Sequence, residues 1–147
     1  MANTEPITFF VPGIPASKGS TKSMRHAATG KMITMSTCKT LPAWQATVRL
    51  IADRHWPHNP SRGPMSATAE FWLPRPKSHY GTGRNAGKLK PNAPTWAPVT
   101  PDGDKMERAM WDGLTGVVFE NDRQVVRWHG TKVYGDRPGV TITVMGL

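Results

Sequence analysis

The sequence predicts an α+β fold in which a small mixed β-sheet packs with two main helices. Apolar residues alternate with more polar ones over residues 65–73, which indicates a half-buried strand. Apolar residues recur at helical spacing after Thr40-Leu41-Pro42 and again over residues 104–115, which predicts two helices. The order of strand, helix, strand, helix and further strands favours a single domain over residues 1–147.

Further strands complete the predicted sheet near both ends of the chain. One strand covers residues 7–11, and a short one is expected at residues 31–34. Two more are predicted at residues 124–134 and 140–144. Because turn-forming residues separate these last two strands, we expect them to form a hairpin.

Each predicted helix has a buried face and an expected end. The first should end near His55, and its Trp44 is expected in the core rather than as a platform for stacked bases. In the second helix Met106, Met110 and Leu114 recur every four residues, so they should face the core. A glycine follows that helix and is expected to end it.

The distribution of charge favours a protein that handles nucleic acid. The net charge is +9, from 19 basic and 10 acidic residues. Six of the acidic residues lie within residues 102–122, so that this window carries −4 and the rest of the chain +13. A nuclease needs basic groups that hold phosphate and carboxylates that hold an activating cation. On charge alone, an acid-rich helix without a catalytic role is an equally good interpretation.

Two segments without acidic residues are predicted to be basic loops. Residues 14–30 contain Lys18, Lys22 and Arg25. Residues 75–98 form a long loop whose basic residues are Arg75, Lys77, Arg84, Lys88 and Lys90. His79, Tyr80 and Trp96 interleave with them, a combination typical of contacts to DNA backbone and bases. A flexible solvated loop is the other interpretation, and both hold if the loop orders only on binding.

Several function classes lack their signatures in this sequence. No apolar run of about 18 residues predicts a membrane span, and residues 1–6 lack the pattern of a signal peptide, so a cytoplasmic location is expected. The single cysteine, Cys38, cannot form an internal disulfide, and we interpret it as structural or incidental. Scattered histidines without cysteine partners argue against zinc, and no P-loop is present.

The most informative motif is Pro101-Asp102-Gly103-Asp104. Two aspartates separated by one residue at the end of a loop can aim their carboxylates at one hard cation. Asp122 follows the second helix, and a chain that turns back there would bring a third acid beside the pair to hold one or two ions. Asp104 is alternatively the helix cap, where acids are common, and both roles are compatible.

Two further acids have open interpretations. Asp112 lies two helical turns beyond Asp104 and is either a group that supports the site from behind or a solvated helix acid. Glu120 is a spare candidate ligand for a cation.

These residues resemble the signature of the RusA family of Holliday junction resolvases. In that signature Asp-x-Asp-Asn-Leu opens a helix with a lysine, and Asp-Ala-Leu and Asp-Asp-x-Gln-Val follow. The matching runs are Pro101-Asp102-Gly103-Asp104-Lys105-Met106-Glu107-Arg108-Ala109-Met110-Trp111-Asp112-Gly113-Leu114-Thr115-Gly116 and Asn121-Asp122-Arg123-Gln124-Val125-Val126. Val11-Pro12-Gly13-Ile14-Pro15, Ser17-Lys18-Gly19, the helix with Trp44, Lys132 and the last strand also look similar. The resemblance covers most of the chain apart from residues 75–98.

The resemblance implies a homodimer that binds four-way DNA junctions and nicks two opposing strands symmetrically with Mg²⁺, or Mn²⁺ in its place. Asp102 and Asp104 match the paired aspartates and Asp122 matches the second aspartate of Asp-Asp-x-Gln, so these three would bind the metal. Arg108 stands at the family's functional lysine and would neutralise charge on the phosphate. The basic residues of both predicted loops and Lys132 would hold the DNA. RusA-like proteins act in DNA recombination and repair and are often encoded by phages and prophages.

Three residues depart from the family pattern. Lys105 replaces an asparagine, Asn121 replaces an aspartate, and Arg108 replaces the lysine. An arginine stays protonated, so Arg108 can hold phosphate but cannot act as a general base.

Two other functions remain open. One is a non-catalytic protein of the same fold that binds junctions or other DNA, and the other is a less selective nuclease for branched DNA, flaps or RNA. Retention of all three aspartates argues against the non-catalytic interpretation.

Overall fold

The predicted α+β architecture is confirmed by a computed structural model that describes residues 3–19, 21–25, 27–36 and 39–147, without the side chains of residues 21–24 and 33–36. The elements in chain order are β1 (Ile7–Pro12), β2 (Thr21–Arg25), β3 (Met32–Ser36), α1 (Leu41–His55), β4 (Met65–Leu73), α2 (Gly103–Leu114), β5 (Val125–Tyr134) and β6 (Gly139–Gly146). Cys38 lies outside the described residues. None of the helices in the described ranges has the length and apolar character that a membrane crossing needs.

Four strands form one mixed sheet in the order β1-β6-β4-β5. β6 pairs antiparallel with both β1 and β4, whereas β5 pairs parallel with β4. The predicted hairpin between β5 and β6 is therefore wrong, because β4 lies between them. β4 pairs with β5 along one edge and with β6 along the other. The turn-forming residues after β5 indicate that the chain reverses there, but they do not indicate which strand it then pairs with.

A separate two-stranded sheet occupies part of the first predicted loop. β2 and β3 pair antiparallel, with Arg25 opposite Met32. The prediction of a loop over residues 14–30 is wrong at Thr21–Arg25, because this polar segment lacks the alternation that marks a half-buried strand. Pairing with β3 supplies its backbone hydrogen bonds instead. The short strand expected at residues 31–34 is confirmed as β3.

The core lies between one face of the four-stranded sheet and the two helices. Trp44 and Val48 of α1 are buried, which confirms the prediction that Trp44 belongs to the core. Met106, Met110 and Leu114 of α2 are also buried, as their spacing predicts. Alternate residues of β4 complete this layer. The burial of these side chains fixes how α2 lies on the sheet.

The two helices approach each other closely at Gly113. A Cβ atom at this position would lie 2.9 Å from Cγ1 of Val48 and 3.3 Å from the carbonyl oxygen of Gln45. Val48 is fully buried and branched at Cβ, so it has little freedom to move away. The side-chain amide of Gln45 also donates to the carbonyl of Ala109 at 3.2 Å. Gly113 therefore sets the distance between α1 and α2.

Gly113→Val should lower the free energy of unfolding by about 1–3 kcal/mol, because the added carbons overpack the contact with Val48. Urea denaturation followed by circular dichroism measures the change. Gly63→Val is the matched control, since a Cβ at Gly63 meets no atom within 4 Å. Equal stabilities of the two variants would contradict the close approach of the helices.

Candidate active site

The paired aspartates lie at the start of α2. Asp102 is the N-cap residue, and its carbonyl accepts the amide of Met106 at 3.0 Å. Its side chain makes no capping hydrogen bond, and its Oδ2 lies 3.4 Å from Nζ of Lys105. Asp104 is exposed in the first turn, where the positive end of the helix dipole stabilises a carboxylate. The alternative that Asp104 is the cap is wrong, because Asp102 occupies that position.

A cleft of about 330 Å³ separates the start of α2 from β5. Its lining residues are Phe71, Gly103, Asp104, Glu107, Gly130, Thr131 and Lys132. Glu107 follows Asp104 by one helical turn, so both carboxylates lie on one side of α2. Burial raises the pKa of Glu107, the Asp104 carboxylate raises it further, and His129 opposes the rise. The cleft therefore concentrates negative charge beside a lysine.

Lys132 extends along the cleft towards the start of α2. Its Nζ donates to the carbonyl of Val99. A Cβ at Gly103 would lie 3.7 Å from Cδ of Lys132, so the helix start and the lysine stem are in near contact. The predicted contact of Lys132 with DNA stays a prediction, and its position beside two carboxylates suits a phosphate that reaches the cleft.

Asp122 opens a 3-10 turn, Asp122–Gln124, that is held at both ends. The side chain of Asn121 accepts the amide of Arg123 at 3.0 Å, and the side chain of Gln124 accepts the amide of Asn121 at 2.8 Å. The side-chain Nε2 of Gln124 also donates to the carbonyls of Ser61 and Gly63. Since asparagine and aspartate cap about equally well, Asn121 can replace an aspartate without loss of this turn.

The acids of the 102–122 window divide into two groups by their partners. Three have basic partners, and the pairs are Asp102 with Lys105, Asp112 with Lys18, and Glu120 with Arg62. Asp104, Glu107 and Asp122 form no ion pair with the described residues. Asp112 therefore joins α2 to the loop after β1 and is not a solvated helix acid, and Glu120 is engaged at the surface away from the cleft.

No three acidic, histidine or cysteine side chains in the described ranges form a group that could hold a metal ion. Asp122 is half-buried but does not line the cleft that holds Asp104. The arrangement of Asp102, Asp104 and Asp122 around one ion is thus not preformed here, and their role as ligands stays a prediction.

Arg108 and Lys105 flank the aspartates on α2. Arg108 is exposed, follows Asp104 by four residues and makes no ion pair within the described part of the chain. Lys105 packs against Gly19, where a Cβ would lie 3.0 Å from its Cγ. The carbonyl of Lys105 accepts the amide of Lys18 at 3.0 Å. Lys105 therefore binds the loop to α2, while the guanidinium of Arg108 stays available to a ligand.

The basic residues of the first predicted loop differ in whether their charges are free to contact DNA. Lys18 donates to the carboxylate of Asp112, which neutralises part of its charge. Arg25 is exposed on β2. Lys22 is also on β2, and its side chain lies outside the described atoms. Their predicted contacts with DNA stay predictions.

The loop over residues 75–98 contains two short 3-10 turns, Lys77–His79 and Gly83–Asn85. Arg75 is engaged within the protein, because its guanidinium donates to the carbonyl of Pro94 at 2.6 Å and lies 5.5 Å from the ring centre of Tyr134. Tyr80 donates to Asp136 at 3.2 Å. The exposed basic residues of the loop are Lys77, Arg84, Lys88 and Lys90. Trp96 is 65% exposed, so it is the aromatic side chain of this loop most open to a ligand.

Comparison with known proteins decides the family. The model of the family described as endodeoxyribonuclease RusA matches residues 12–145, nearly the whole chain. The chain belongs to the RusA family. It is also 29% identical over 140 residues to the uncharacterized protein YqaN of Bacillus subtilis, a match that covers 94% of each chain. Membership in the RusA family identifies an endodeoxyribonuclease, and the family acts on branched DNA junctions.

The sequence motif misses part of the cleft of this RusA-family chain. Glu107 is missed although its spacing of three residues from Asp104 places both on one helix side. Gly130 and Thr131 are missed because only the parallel pairing of β5 with β4 brings them under α2. That pairing joins segments far apart in the sequence and leaves no local signal.

Removal of the three exposed bases Arg84, Lys88 and Lys90 by substitution with alanine should weaken junction binding. The slope of log K against log salt should fall in magnitude by up to about 2.7, because each phosphate contact on B-DNA contributes about 0.9. Fluorescence anisotropy over a salt series measures it. A control variant without Lys39, Arg54 and Arg62 should keep a slope near that of the wild type. An equal fall in both variants would show that the loop has no special role.

Proposed function

We propose that this chain is a Mg²⁺-dependent endonuclease that resolves four-way DNA junctions by paired symmetric nicks, with Mn²⁺ able to replace Mg²⁺. One observation supports it above the others: the paired aspartates of the RusA signature open α2, and Asp104 lines a cleft together with Lys132. Carboxylates and a cation at one helix start suit the hydrolysis of a phosphodiester. Recombination and repair of DNA are the processes that need such an activity.

Asp102, Asp104 and Asp122 are the proposed ligands of the metal ion. Mg²⁺ prefers oxygen ligands and commonly takes only one or two carboxylates, with water and phosphate in the remaining positions. Carboxylates at the open start of a helix fit this chemistry. When bound, the ion would activate water and stabilise the leaving oxygen. We propose that Asp122 joins the paired aspartates when the ion is bound, because a cation offsets the repulsion between neighbouring carboxylates.

The basic groups have two distinct roles in this proposal. Arg108 holds the reacting phosphate and neutralises the charge that develops on it, but it takes no proton because it stays charged. Lys132 provides a second positive charge inside the cleft. The exposed bases of the 75–98 loop hold the DNA backbone at a distance from the reaction.

We further propose that two copies act together, because symmetric nicks in a junction need two sites related by a two-fold axis. β5 is one of the two edge strands of the four-stranded sheet, and its Val126 and Trp128 are each 57% exposed. Exposed apolar residues on an edge strand suit association with another chain. The first half of β5 is therefore the proposed contact between the two copies.

Sedimentation velocity should give a mass near twice the 16.2 kDa of one chain. Trp128→Glu should shift the protein to a monomer, because it places a charge within the proposed contact. Leu50→Glu is the control, since Leu50 is 52% exposed on α1 and lies outside β5. A monomeric wild type, or a dimer unaffected by Trp128→Glu, would refute this contact.

Asp104→Asn should abolish nicking of a labelled four-way junction and leave junction binding largely intact, because the change removes a ligand charge but keeps the shape. A gel assay with Mg²⁺ and a binding titration measure the two effects. Glu120→Gln is the matched control, because Glu120 pairs with Arg62 outside the cleft and its loss should spare nicking.

Three results would change the proposal. Nicking by Asp104→Asn would show that the site is misassigned. A wild type that binds junctions but never nicks them would favour the non-catalytic alternative. Cutting of linear duplex as well as junctions would favour the less selective nuclease.

A further inference from the structure

The carboxylate of Glu107 lies in the same cleft as Asp104, although no sequence motif singles it out. The two residues are separated by one turn of α2, and both line the space below the helix start. Thr131 and Lys132 of β5 form the opposite wall. Glu107 is half-buried there, whereas Asp104 is exposed at the opening. The two acids therefore define an inner and an outer end of one cleft.

Gly130 of β5 makes room for the Glu107 carboxylate. A Cβ atom at Gly130 would lie 2.2 Å from Oε1 and 3.2 Å from Cδ of Glu107, so no other residue type fits without displacing the side chain. Glycine weakens a strand and often marks the close approach of another group. Here the approaching group is a carboxylate, and the missing Cβ leaves room for it against the strand.

Neither carboxylate of this pair, Asp104 or Glu107, is held in an ion pair by the described residues, although three other acids of the same window are. The ammonium of Lys132 donates instead to the carbonyl of Val99. Two unpaired carboxylates in a partly buried cleft repel each other, and a cation between them relieves that repulsion.

We propose that Glu107 supplies a carboxylate oxygen, beside Asp104, to the divalent cation of this cleft, and that Gly130 positions it. Mg²⁺ or Mn²⁺ is the expected ligand, because one or two carboxylates with water and phosphate form the usual shell of such ions. The inference rests on the proposed function for the use of that ion in DNA cleavage. Glu107 on α2 would thus be a metal ligand in addition to the aspartates of the family signature.

The test measures Mn²⁺ binding to the full chain without DNA, from the electron paramagnetic resonance signal of free Mn²⁺. Glu107→Gln should weaken Mn²⁺ binding at least about tenfold, because groups around a bound metal commonly contribute that much. Gly130→Ala should weaken binding to a similar extent while every charge is retained. Gly63→Ala is its control, because a Cβ there meets no atom within 4 Å. Near-ultraviolet circular dichroism confirms that each variant is folded.

A double variant separates positioning from a general effect on the fold. If Gly130 acts only through Glu107, then Gly130→Ala should add no further loss to Glu107→Gln. The inference is overturned if Glu107→Gln binds Mn²⁺ with wild-type affinity, or if the wild type does not bind Mn²⁺ at all. It is also overturned if Gly130→Ala weakens Mn²⁺ binding in the double variant as much as it does alone.

The same variants distinguish this inference from the proposed function. A wild type that nicks junctions, together with unchanged Mn²⁺ binding in Glu107→Gln, overturns the inference and leaves the nuclease. Mn²⁺ binding that depends on Glu107 and Gly130, in a chain that never nicks DNA, supports the inference and rejects the nuclease.

Discussion

The packing of α2 against α1 and the sheet is the constraint on which the rest of the site depends. Met106, Met110 and Leu114 are buried, so the rotation of the helix about its axis is fixed. Because a helix repeats every 3.6 residues, this rotation places Asp104 and Glu107 over β5. The close contact at Gly113 also fixes the distance between α1 and α2.

Ion pairs with basic residues engage some acids of the 102–122 window and leave others unpaired. The chain has a net charge of +9, and basic residues form ion pairs with three acids of the 102–122 window, Asp102, Asp112 and Glu120. Asp104, Glu107 and Asp122 form no ion pair with the described residues. Unpaired carboxylates on a basic protein are costly to keep close together unless a ligand compensates them. Two of these unpaired acids, Asp104 and Glu107, line the cleft at the start of α2, which supports this cleft as the reactive region.

Periodic segments could be predicted from the sequence, and long-range pairing could not. α1, α2 and β4 follow their apolar spacing, since each buries a whole face and leaves a regular pattern. β2 is polar, and the position of β5 beside β4 is set by contacts across the sheet, so neither leaves a local signal. The paired aspartates are visible in the sequence, whereas the contact of Glu107 with Gly130 exists only through that strand order.

We propose above that this RusA-family chain cuts branched DNA with a divalent metal ion at the start of α2. The most direct test incubates the wild-type protein with a labelled four-way junction and a linear duplex of the same sequence, in Mg²⁺ and in EDTA. We expect paired nicks at symmetric positions of the junction in Mg²⁺, no nicks in EDTA and an intact duplex. Nicks that persist in EDTA, or a junction that is bound and never cut in Mg²⁺, would contradict it.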